Sequence, residues 1–215
     1  MITSPRNIII LKQSTLPSCY AQATERAVQE ILNYAPQQRR YQLLTNVAAN
    51  DLADMWVALS NSRTMETSRH IRFKQIETTI LSRALDYMAH RSKSPIDPIL
   101  LLNDGIYPPG YNYVFGYTTG DQSATVVARG DKSPAMLTDD QFWQILKHEL
   151  GHKFGATTVG NRPSSELYNY SGLGVHCLSE GCVMNVITSM QDLVSNPTTR
   201  FCPGCMAAIK RQLTR

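Results

Sequence analysis

The sequence predicts an α+β domain, a mixed twisted β-sheet with helices packed on it. Three observations lead there. The apolar, β-branched runs Ile8-Ile9-Ile10-Leu11 and Ile99-Leu100-Leu101-Leu102 read as strands covered on both faces. Amphipathic stripes of helical period stand between and after them. Turn signals at Asn103-Asp104-Gly105 and Pro108-Pro109-Gly110 set off a second group of strands.

A chain of 215 residues with 42% hydrophobic and 18% charged side chains suits one domain with a substantial core. The formal charge is only +4, and the positive residues are scattered apart from Arg39-Arg40 and Lys210, Arg211 and Arg215. No basic stripe interleaved with aromatics is present, so no nucleic-acid partner is expected. No apolar run is long enough for a membrane span or a signal-peptide core. A soluble, cytoplasmic protein without a membrane partner is expected. An odd count of 5 cysteines argues against a disulfide framework. Cys19 stands alone and is given no role.

Taken in order, 7–11 is the first strand. Over 19–34, Tyr20, Ala23, Ala27, Ile31 and Tyr34 recur on one helical face, and Pro36 ends the helix. Residues 40–47 read as a second strand and 53–59 as a short helix. Over 68–90, Ile76, Ile80, Ala84 and Met88 keep helical spacing, which predicts one long helix. Residues 92–98 read as a connection and 99–102 as a buried strand. Two strands follow at 111–117 and 123–129, joined by a turn at 118–122. Thr138 is an N-cap candidate ahead of Asp139 and Asp140. The helix it opens carries Phe142, Ile145, Leu146 and Leu150, and Gly155 ends it.

That helix contains His148-Glu149-Leu150-Gly151-His152, the pattern H-E-x-x-H. Histidines four apart share one helical face, so both imidazoles can reach one metal ion. Glu149 beside them is placed to take a proton from water, which is what metal-assisted hydrolysis needs. A catalytic zinc takes three protein ligands and keeps one open position. His70 and His90 lie on or near the predicted long helix, whereas His176 lies downstream and is the candidate third ligand. Glu166 and Glu180 are the carboxylate alternatives.

Cys177 and Cys182 are spaced C-x4-C, and Cys202 and Cys205 C-x2-C. Two such pairs can close a tetrahedral four-thiolate zinc site with no open position, hence a structural one. It would staple the Cys177 loop to a C-terminal helix at about 205–213. His176 and Cys177 are adjacent, and neighbours on extended backbone point opposite ways. One can face each metal, so that the second zinc holds the third histidine in place.

On these residues the chain resembles the archaemetzincins, zinc metallopeptidases of the metzincin clan. Their pattern is H-E-x-x-H-x-x-G-x-x-H-C-x4-C-x-M-x17-C-x-x-C. His148, Glu149, His152 and Gly155 match its first half; His176, Cys177, Cys182, Met184, Cys202 and Cys205 match its second with every spacing kept. Residues 103–116 resemble the family's strand and loop ahead of the active-site helix, and 75–85 its preceding helix. The resemblance implies two zinc ions. His148, His152 and His176 would hold the catalytic one and Cys177, Cys182, Cys202 and Cys205 the structural one. Glu149 would be the general base, Met184 the Met-turn residue beneath the site, and a peptide or protein the substrate. It implies a single metzincin-like domain over 1–215, with a sheet-containing part at 1–155 ending in the active-site helix and a zinc-stapled part at 176–215. One departure stands between them. Residues 156–175 occupy the place of two residues in the pattern. This insertion reads as a looped-out rim segment. If it covered the cleft, the chain would be a catalytically inactive zinc-stabilised binding protein.

Overall fold

The computed structural model describes residues 6–35, 41–44, 62–66, 72–91, 96–107, 114–119, 124–130, 136–170 and 174–214, with isolated positions between them. His70, Arg39-Arg40 and nearly all of the expected 53–59 helix lie outside the described residues. In chain order the elements are β1 (Arg6–Lys12), α1 (Ser18–Leu32), β2 (Tyr41–Leu43), β3 (Ser62–Glu66), β4 (Arg72–Glu77), α2 (Thr78–Arg91), β5 (Ile96–Leu102), β6 (Gly105–Tyr107), β7 (Gly116–Thr118), β8 (Thr125–Ala128), α3 (Asp139–Lys153), a 3-10 turn (Ser164–Glu166), β9 (Leu167–Tyr170), β10 (Gly174–Cys177), α4 (Met190–Ser195) and α5 (Pro203–Thr214).

The principal sheet has the order β2-β1-β5-β8-β7. It is parallel except at β7, which runs antiparallel to β8. The unbroken apolar runs in β1 and β5 follow from cover on both faces. Ile8, Ile10, Ile99 and Leu101 pack with residues of α1 and α3, while Ile9, Leu11, Leu100 and Leu102 pack with Leu81 and Leu85 of α2. Each such side chain contributes roughly 1.5–3 kcal/mol by burial, so α3 rests on a heavily buried core. No helix among the described residues is long and apolar enough to cross a membrane.

Several expected elements are corrected. The long helix at 68–90 is instead β4 followed by α2. Ile76 fits either period locally, and strand pairing decides. It lies opposite Ser62 of β3 and Ile106 of β6, and it is fully buried. The connection at 92–98 gives way to strand from Ile96, where buried Asp97 accepts from Arg6 Nε at 2.8 Å and Nη2 at 2.9 Å. Gly105, expected in a turn, opens β6. The strand expected at 111–117 is confined, among the described residues, to a bridge at Val114 and to β7, which includes Thr118. The second strand, expected over 40–47, is only Tyr41–Leu43 in the described residues.

The signals around α3 match the structure. Thr138 caps the helix in a reciprocal box with Gln141, Asp139 and Asp140 occupy the first turn, and Gly155 follows the helix at φ 75°. Buried lysines tie its middle and its C-terminal end to neighbouring elements. Lys147 pairs with Glu30 of α1 at 2.5 Å, and fully buried Lys153 lies 3.5 Å from Asp97 of β5.

Candidate active site and metal centres

α3 delivers His148 and His152 one turn apart, and β10 brings His176 to them. Ring centroids are 4.8 Å apart for His148–His152, 5.2 Å for His148–His176 and 5.1 Å for His152–His176. One ligand atom from each of the three lies within 4.8 Å of the others. Each ring is oriented through Nδ1. His148 Nδ1 is 2.7 Å from the Val183 carbonyl, His176 Nδ1 3.1 Å from the Gly174 carbonyl, and His152 Nδ1 3.1 Å from the Thr157 hydroxyl. A carbonyl can only accept, so in His148 and His176 the proton resides on Nδ1 and Nε2 presents its lone pair. The Nε2 atoms of His148 and His152 are 3.1 Å apart. Two nitrogens on a tetrahedral zinc are about 3.4 Å apart, so the donor set fits such an ion. Burial holds the imidazoles neutral. It pushes His148 down to about 3, aided by His176, and His152 well below its usual value.

Glu149 is 7% exposed, and one of its carboxylate oxygens accepts from the Thr118 hydroxyl at 2.8 Å. Burial pushes the carboxyl up to about 7, against the opposing Thr118 bond. β7 makes room for it. A Cβ on Gly116 would fall 2.5 Å from Glu149 Cγ and 2.7 Å from Oε1. Fully buried Met184 packs on Gly151 of α3, where a Cβ would meet the sulfur at 2.0 Å.

Sequence reasoning missed Gly116, Thr118, Thr157 and Gly151. Only Gly151 carried a signal, as a glycine inside a strong helix, where it costs helix stability unless something packs against it.

The four cysteines form the second cluster, again with one atom from each within 4.8 Å of the others. Cys177 and Cys202 sulfurs are 3.7 Å apart and those of Cys182 and Cys205 3.6 Å. These separations are far too long for disulfides. They fit the edges of a tetrahedron of sulfurs around zinc, about 3.8 Å. The thiols drive one another in opposite directions. Hydrogen bonds from Cys182 and Cys205 lower Cys177, while the bond to Cys177 pushes Cys182 up to about 12. Four thiolates this close need a cation to ionise together. β10 carries His176 and Cys177 side by side, and the Cys177 amide donates to the Met184 carbonyl at 2.8 Å.

The carboxylate alternatives fall elsewhere. Glu166 accepts from Arg162 at 2.6 Å, and Glu180 is exposed. His90 lies exposed in the last turn of α2. Residues 156–175, expected as a looped-out rim, contain the 3-10 turn and β9, which pairs His176 opposite Tyr168.

No family model matches the chain. Among curated proteins, it is 30% identical to the archaemetzincin of Methanopyrus kandleri over 146 residues, 66% of this chain and 73% of that one. It is 26% identical to the archaemetzincin of Pyrococcus horikoshii over 54% of this chain and 55% of that one. The fold is similar to the crystal structure of the Methanopyrus kandleri archaemetzincin, with a TM-score of 0.56 and 21% identity over 100% of this chain and 99% of that one. It is also similar to a zinc-dependent peptidase from Methanocorpusculum labreanum, with a TM-score of 0.55 and 15% identity over 94% and 99%.

Proposed function

The chain belongs to the archaemetzincin family, and on that premise we propose that it is a zinc-dependent peptidase with Glu149 as general base. In this reading His148, His152 and His176 hold a catalytic zinc. Cys177, Cys182, Cys202 and Cys205 hold a structural one, and Met184 supports the floor of the site. The whole chain is one peptidase domain, with 156–175 inserted between its two halves. The observation that carries the proposal is the convergence of three neutral, oriented imidazoles next to one buried carboxylate.

The three imidazoles would hold zinc, which when bound would supply Lewis-acid chemistry to a peptide carbonyl and a more acidic water. Glu149 takes the water's proton and passes it to the leaving amine. Burial raises the basicity of the carboxylate, which suits a proton acceptor. Thr118 and the bare backbone of Gly116 fix its position. β7 ends the strand order of the principal sheet, beside Glu149, and in this reading an extended peptide runs alongside it.

The test is hydrolysis of a peptide mixture by the purified chain. Removal of metal with a chelator is expected to abolish cleavage and added zinc to restore it. Cleavage indifferent to the chelator would overturn the proposal. Gly116→Ala is expected to keep its zinc and lose roughly 100-fold in rate, because the new methyl displaces Glu149. Initial rates together with metal analysis check this.

A further inference from the structure

We propose that Arg162 is the counter-charge and hydrogen-bond donor of the four-cysteine zinc site, and that through it the segment 161–166 positions the strand bearing His176. This rests on the zinc reading of the cysteine cluster.

Arg162 is 6% exposed. Its Nη1 donates to Cys177 Sγ at 3.2 Å and to Cys205 Sγ at 2.9 Å. Its Nε and Nη2 both donate to one oxygen of Glu166, at 3.1 and 2.6 Å. The guanidinium therefore bridges a carboxylate on one side and the thiol cluster on the other. A surface ion pair four residues apart does not need a buried arginine. Burying this cation is costly unless anions surround it, and half-exposed Glu166 supplies only one. Four thiolates and one divalent zinc carry a net charge of −2, which a buried guanidinium offsets. Arginine's rigid fork suits this task better than lysine's point charge.

The surroundings are shaped to it. A Cβ at Gly204, in the first turn of α5, would lie 2.9 Å from Arg162 Nη2 and 3.1 Å from Cζ. Asn161 ties the same segment to α5. Its carbonyl accepts from Arg211, and its side chain donates to Gln212 at 3.3 Å. The Glu166 carbonyl accepts from the amide of Leu178 at 3.0 Å, one residue after Cys177. The segment thus clamps α5 to the end of β10, and His176 precedes Cys177 there. Arg162 is a positioning residue, because it acts on the metal through the sulfurs.

The experiment uses the full zinc-loaded chain and a colorimetric chelator. Cys202→Ser identifies the release phase that belongs to the cysteine site. Arg162→Met is expected to release that zinc about 10- to 100-fold faster. Arg162→Lys, which keeps charge but not the fork, should fall in between. In cobalt-substituted protein, the sulfur-to-metal charge-transfer band should move to lower energy in Arg162→Met, since hydrogen bonds to sulfur are lost. A purely structural role would leave that band in place. Unchanged release and an unchanged band in both variants would overturn the proposal. If Cys202→Ser held as much zinc as the parent, the cysteines would bind none, and the zinc reading itself would fall with it.

Discussion

Glu149→Gln is expected to bind zinc as the parent does and to cleave peptides at least about 100-fold more slowly, the scale of one general-base contribution. The substitution preserves shape. The amide oxygen can still accept from Thr118, and Gly116 still leaves room for the side chain. Only the capacity to take a proton is lost. The three imidazoles keep their own partners at Val183, Thr157 and Gly174, so their ability to hold a metal is independent of residue 149. Initial rates on a cleaved peptide, set against zinc per chain, check the separation. Parental rates in this variant would remove Glu149 from the mechanism. Loss of zinc along with rate would make it a structural element of the site instead.

Gly151→Ala carries the second large effect, and its sign runs against helix propensity. Alanine in a helix interior is favoured over glycine by about 1 kcal/mol. Here the added methyl would meet Met184 Sδ at 2.0 Å and Phe201 Cε1 at 2.8 Å. Met184 is flexible but fully buried, and Phe201 is 7% exposed, so neither has open space to retreat into. Overpacking of this kind costs about 1–3 kcal/mol. The net expectation is a lower unfolding midpoint and weaker zinc binding, since Val183 beside Met184 holds the His148 ring. Gly151→Ala combined with Met184→Ala removes the clash, so the pair should be strongly non-additive in thermal unfolding. Simple additivity would contradict the packing described.

The site was legible in the sequence to the extent that its chemistry is local. His148, Glu149 and His152 sit on one helix with its cap and its stop, and helical period alone puts them on one face. The cysteine spacings carried the second cluster. His176 required more, because twenty residues separate it from Gly155. Setting His70 and His90 aside nominated it, the resemblance agreed, and hairpin pairing with β9 delivers it. Thr118 and Gly116 had no signature, because their role comes from the antiparallel placement of β7 beside β8, a long-range contact. The same holds for Arg162, which reads as an ordinary loop charge until α5 closes over it. In the fold, β4 was misread for a related reason. Ile76 suits helix and strand alike, and its partners in β3 and β6 decide. Patterns within one element were visible; pairings between distant elements were not.

The most direct test of a two-metal peptidase is zinc per chain in protein purified without added metal or chelator. About two are expected, falling to about one in Cys202→Ser and to about one in His148→Ala with His152→Ala. About one zinc per chain that Cys202→Ser removes, with the paired histidine variant leaving it in place, would contradict a two-metal peptidase. The three-histidine site would then take no zinc, and the chain would be a zinc-stapled protein without a catalytic metal.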